Sequence, residues 1–196
     1  MEVKKHIPKI LLGIYIVLFL ILAINPYDRA VWWAENIPIM IIVALLTFTY
    51  KRFQFSNTAY LLMSIFIIMH TIGGHFTFAR VPFEWFTNLF GFERNHYDRI
   101  AHFSVGFYAY AMAEFLQKTK AVNKKWVLYL MPIFFIMAVA GAYEVIEWWY
   151  AVSADPQAGI EVLGSQGDIW DAQKDILMDT LGALSAMFLF WIKPKK

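Results

Sequence analysis

The sequence predicts an all-α integral membrane protein in which six transmembrane helices form one bundle, with both termini cytoplasmic. Three observations predict it. The chain is 60% hydrophobic and only 16% charged, with a mean hydropathy of +0.51. Soluble globular domains run nearer to roughly 45–50% apolar and about 25% charged. Six apolar segments can be drawn along the chain. The charges are also sorted in space: on a six-span path twelve of the seventeen basic residues fall inside, leaving Arg29, Arg80, Arg94, Arg99 and Lys174 outside. That is the Lys and Arg bias of cytoplasmic loops. Of fifteen acids, only Glu2 and Glu114 fall at the inner face.

The first segment, near residues 7–24, has the basic start and apolar run of a signal peptide. No small-x-small cleavage site follows it, so it is read as a retained helix. The second and third, 37–50 and 57–72, are shorter than the about 17–25 residues of a usual span, so they must borrow flanking residues or tilt. The outer loop after them, GGHFTFARVPFEWFTNLFGFERNHYD, carries Phe83, Trp85, Phe86, Leu89 and Phe90. Its aromatics suit an interfacial or re-entrant segment. Segments 97–117 and 126–150 supply the fourth and fifth spans. The loop AVSADPQAGIEVLGSQGD, punctuated by Gly, Pro and Ser, could cap a cavity before the last span at 171–192. With no internal repeat or long linker, residues 1–196 are read as one transmembrane domain.

The last span opens with acids that a bilayer penalises. At about 100° per residue, Asp168, Asp171, Asp175, Asp179, Gly182 and Ala186 share an arc of roughly 80°. A rise of about 1.5 Å places Asp179 some 10 Å below the outer edge of the hydrocarbon core. The small residues continue the stripe and let a neighbouring helix approach. In span four, Asp98 and His102 stand four apart, with Gly106, Ala109 and Ala113 on a compatible face. Span five places Glu144 and Glu147 three apart, before Trp148, Trp149 and Tyr150. Span three contributes His70 and, beyond two flexible glycines, His75. Four helices thus bring ionisable groups to a similar depth.

Plainer roles also fit some of these groups. His70 could be a core histidine bonded to a backbone carbonyl. Asp98 with Arg99 could be a boundary ion pair, and Asp168 with Asp171 a solvated first turn favoured by the helix dipole. Asp179, Glu144, Glu147 and His102 resist such readings, since Lys174 and Arg99 are the only near cations. Clustered carboxylates in low dielectric must share protons, pair with cations or bind a metal. With no cysteine in the chain, a His and carboxylate set suits one divalent Zn, Mn or Fe ion, or a proton relay. H-E-x-x-H, nucleophile-elbow and P-loop motifs are absent.

The stretches YDRIAHFSVGF, AYEVIEWW and GSQGDIWDAQKDILMDTLGA resemble the YjdF type of bacterial inner-membrane protein, an uncharacterised family, over nearly the whole chain. The resemblance implies a compact multi-span protein of the bacterial inner membrane. A fainter likeness to VanZ-like membrane proteins, associated with glycopeptide-antibiotic resistance, covers Asp98, Arg99, His102, Glu144 or Glu147, Asp175 or Asp179, Gly182 and Ala183. This chain has Asp179 where that pattern leads one to expect Asn. The residues themselves lead to an outward-facing site with metal ligands His102, Glu147, Asp175 and Asp179, and with His70, Asp98 and Glu144 orienting them or acting as acid and base. The expected partners are the lipid bilayer and a lipid-linked or amphiphilic substrate, not nucleic acid, with oligomeric state left open. The rival readings are a proton- or ion-coupled carrier of small solutes and a noncatalytic assembly or resistance factor.

Overall fold

A computed structural model describes residues 3–154 and 156–193. Glu2, Lys195 and Lys196, counted in the charge reading, lie outside them, as does Asp155. The described chain is helical: α1 (Val3–Leu22), α2 (Arg29–Thr49), α3 (Asn57–Phe76), a 3-10 turn (Phe78–Arg80), α4 (Glu84–Phe90), α5 (Tyr97–Val105), α6 (Tyr108–Thr119), α7 (Lys125–Ser153), α8 (Pro156–Leu163) and α9 (Asp171–Ile192). Among the described residues α2, α3, α7 and α9 are long and apolar enough to cross a membrane. The apolar run of α1, His6–Leu22, is shorter, and the fourth segment is divided between α5 and α6.

Several boundaries differ from the sequence reading for local reasons. The second helix starts eight residues earlier than expected, because Asp28 caps it by accepting from the Val31 N–H at 2.9 Å. The loop at 156–163 is helical. Pro156 supplies a preset φ at the start of α8, and Gly164 at φ 57° supplies the left-handed residue just after its end. Gly73 and Gly74 are not a flexible joint but helical residues of α3, and His75 is still in that helix. A Cβ at Gly73 would strike the Phe78 ring, and one at Gly74 would strike Asn36. These glycines therefore let α2 and the 3-10 turn close on α3.

The tightest crossing joins α5 to α9. A Cβ at Gly106 would collide with the backbone of Asp179 and Ala183, and one at Gly182 with the Phe103 carbonyl. The chain tightens into 3-10-type bonds beside this contact, Phe107 N–H to Ser104 O at 3.1 Å and Ala109 N–H to Gly106 O at 3.0 Å. Below it lies a core of Tyr60, Met63, Ala109, Tyr110, Ala113 and Ala183. Above it, α5 and α9 face each other through their polar side chains. Backbone contact at the glycines thus sets the spacing of the acidic face.

Candidate functional site

His102 sits at the centre of the contact between α5 and α9. Its Nδ1 lies 3.2 Å from Asp179 Oδ2, while its Nε2 lies 3.6 Å from Asp98 Oδ1 and 3.9 Å from Asp175 Oδ1. The helical spacing explains this arrangement: Asp98 is one turn before His102, and Asp175 and Asp179 are one turn apart on the facing helix. One ligand atom each from Asp98, His102 and Asp175 can be chosen so that all lie within 4.8 Å of one another. With Nδ1 donating to Asp179, the Nε2 lone pair faces the two other carboxylates, an arrangement in which Asp179 fixes the ring. Asp179 is only 1% exposed, and its Oδ1 has no hydrogen-bond partner among the described residues. Oxygen and nitrogen donors without sulfur, with an orphaned buried oxygen beside them, fit a divalent cation.

Arginines organise the outer edge of this cluster. Arg99 pairs with Asp175, donates to Asp171 Oδ1 at 2.5 Å and to Asp168 Oδ2 at 3.2 Å, and also bonds the Asp171 carbonyl. Arg94 reaches Asp171 Oδ1 at 2.7 Å. Asp171 is therefore not a solvated first-turn acid; the two guanidinium groups bury it. Asp168, outside the helix, accepts from Lys174 at 2.6 Å, and that bond holds its carboxyl below the usual range. Burial, helped by Arg94, Arg99 and Lys174, pushes His96 down. Five carboxylates, Asp98, Asp168, Asp171, Asp175 and Asp179, thus face three cations. The two uncompensated charges match one divalent ion, or a protonated His102 with one shared proton.

The cluster opens into a cavity of about 440 Å³ lined by His70, Asp98, His102, Tyr143, Glu147 and Asp179 on its polar side. Loop and helix α8 contribute Val162, Leu163 and Gly164 to its wall. Glu147 makes no hydrogen bond or ion pair with a described residue. Glu144 is half-buried on α7 and is not among the lining residues. Asp175 stands behind the lining, held by Arg99.

Two groups escaped the sequence reading. Glu35, 2% exposed, meets His70: the His70 Nε2 lies 3.1 Å from both the Glu35 carbonyl oxygen and Oε2, and the Tyr143 hydroxyl donates to Oε2 at 3.2 Å. His70 is thus both the core histidine on a backbone carbonyl and part of a Glu–His–Tyr group on the cavity wall. Asp28, a cap residue before an apolar run, was the signal that would have moved the start of α2 and drawn Glu35 into the membrane. Arg94 was the other omission. No local pattern marks it, because its partners are more than seventy residues away.

The family described as "Predicted membrane protein (DUF2238)" matches residues 7–196. The chain is also similar to the "Inner membrane protein YjdF" of Escherichia coli (strain K12), 33% identical over 170 residues that cover 84% of this chain and 79% of the relative. No solved structure matches it.

Proposed function

From the premise that the chain belongs to the DUF2238 family of predicted membrane proteins, we propose that it is a divalent-metal-dependent hydrolase of the bacterial inner membrane. It acts on a lipid-linked or amphiphilic envelope substrate from the outer face. Six spans underlie this reading: α1, α2, α3, α5 with α6, α7 and α9, with both termini cytoplasmic and residues 1–196 forming one domain. The short α4, which exposes Trp85, Leu89 and Phe90, lies in the interface.

The observation that carries the proposal is the convergence of Asp98, His102 and Asp175 beside a cavity with both polar and apolar walls. These three residues would hold the ion. Three expected roles thereby change: Asp98 joins the ligands, while Asp179 orients His102 and Glu147 is released for proton transfer. The chemistry a divalent ion would supply there is a water activated near neutral pH and polarisation of the bond to be cut. Arg99 keeps Asp175 aimed at His102. Glu147 accepts the proton of the attacking water, and His70, fixed by Glu35, returns one to the leaving oxygen. Each cleavage consumes one water.

The test is elemental analysis and titration calorimetry with Mn²⁺ and Zn²⁺ on purified wild type, Asp98→Asn, His102→Ala, Asp175→Asn and Asp179→Asn. The expected result is one equivalent in wild type and none in the three ligand variants. Asp179→Asn should keep a weakened site, by about 10–100-fold as for other outer-shell partners. Metal absent from every supplemented sample would overturn the proposal and leave the carboxylates as proton carriers.

A further inference from the structure

The cavity is polar only at one end. On α2 and α7, Glu35 and Tyr143 meet through the 3.2 Å hydrogen bond, and the next turns toward the opposite helix ends carry Pro38, Ile41 and Ile42 on one side and Val139 and Phe135 on the other. From Glu35 to Ile42 is about 10 Å of helix, and from Tyr143 to Phe135 about 12 Å. The apolar part therefore runs along the two helices for roughly the length of two turns. Beyond the polar link α2 and α7 scarcely touch; α3 and α8 hold α2, and α6, α8 and α9 hold α7. Ile41 is 55% exposed and Val139 42%, so the apolar walls reach the outer surface of the bundle. Pro38 contributes here as well, since its ring removes the helix bond to the Ala34 carbonyl and weakens the α2 wall.

We propose that this cleft is a lateral portal that holds one acyl chain of a bilayer lipid, with the lipid's head group against Asp98, His102 and Asp179. It rests on the reading of the site as taking a lipid-linked substrate, and it names that substrate's class: an acyl lipid that enters sideways from the membrane. The occupant follows from where the cleft opens. Between two helices that cross a membrane, the medium at Ile41 and Val139 is hydrocarbon, and the bulk of that hydrocarbon is acyl chain. A polar solute would leave these walls unsolvated, while a bare hydrocarbon chain would leave the polar wall of His70, Tyr143 and Glu147 unsolvated; an amphiphile satisfies both ends. The cavity volume lies within the roughly 300–1,000 Å³ range of small-ligand sites. The polar groups sit toward the start of α2 and the end of α7, so head and chain have a fixed order along the two helices.

The experiment uses the full chain in phosphatidylethanolamine vesicles containing a trace of phosphatidylglycerol with a mid-chain diazirine. After irradiation, mass spectrometry maps the labelled residues. Labels should concentrate on Ile42, Phe135 and Val139 relative to Phe48 and Phe188, which are exposed elsewhere on the surface. Val139→Trp, or Ile41→Trp from the facing helix, should lower cavity labelling about tenfold, equivalent to ~1.4 kcal/mol of binding, without changing the labels on Phe48 and Phe188. Even labelling of all exposed apolar residues, or no effect of either tryptophan in protein that remains monodisperse, would overturn the portal. Displacement by excess polyprenyl phosphate but not by excess phosphatidylglycerol would overturn the acyl assignment. Asp175→Asn separates the two proposals: it should remove metal and leave the labelling pattern intact, while Val139→Trp should keep the metal.

Discussion

The two ends of the bundle each bury acid, and they treat it in opposite ways. At the end where α3 begins, Glu114 is buried and fully partnered: it accepts from the Ser56 N–H at 2.6 Å, the Ser56 hydroxyl at 2.5 Å and Lys118 at 2.6 Å. Its work is to fasten the start of α3 to α6. The cavity near that end, about 250 Å³ between α1, α2 and α3, has no carboxylate in its lining. At the opposite end Asp179 keeps an unpartnered oxygen, Glu147 has no bond to a described residue, and five acids share three cations. A buried charge that only holds a fold together should have its partners supplied by the protein, because an unpaired group costs more than its pair contributes. That shortfall of partners sets this end apart and is what the proposed site rests on.

That contrast can be broken in three places, beginning with the largest effect. Arg99→Met leaves Asp171 and Asp175 buried without their main cation and should cost about 3–5 kcal/mol, seen as a large fall in the thermal midpoint in detergent. A variant as stable as wild type would mean that the arginine is not what holds the acidic face. Glu114→Ala removes a fully bonded acid and should cost roughly 1–3 kcal/mol, with metal stoichiometry unchanged; loss of metal there would erase the division between the ends. The smallest effect concerns Glu161, which pairs with Arg80 and accepts from Thr77 at 3.1 Å and Gln157 at 2.9 Å. The Arg80 bond holds its carboxyl below the ordinary range. Its contribution is complete above the usual unfolded value of about 4.3 and is lost as pH falls through the lowered folded value. Arg80 is 40% exposed, so the pair contributes only ~0–1 kcal/mol. Limited proteolysis of 154–168 should rise in strong acid for wild type, and already at pH 7 for Glu161→Gln.

Composition and the period of the helices were enough to determine that this chain is helical and membrane-embedded, and that Asp175, Asp179, Gly182 and Ala186 share a face. These are local properties: hydropathy accumulates along a segment, and a helix places every fourth residue on one side. The sequence also marked Asp98 and His102 as one turn apart. It could not say that His102 faces Asp179 rather than lipid, because that depends on Gly106 meeting Gly182 across two helices far apart in the chain. Nor could it draw Arg94 onto Asp171, or Glu35 onto His70. Those partners are brought together by helix packing, and the energy of an ion pair is decided by the partner's distance and burial, quantities that exist only once the bundle has closed.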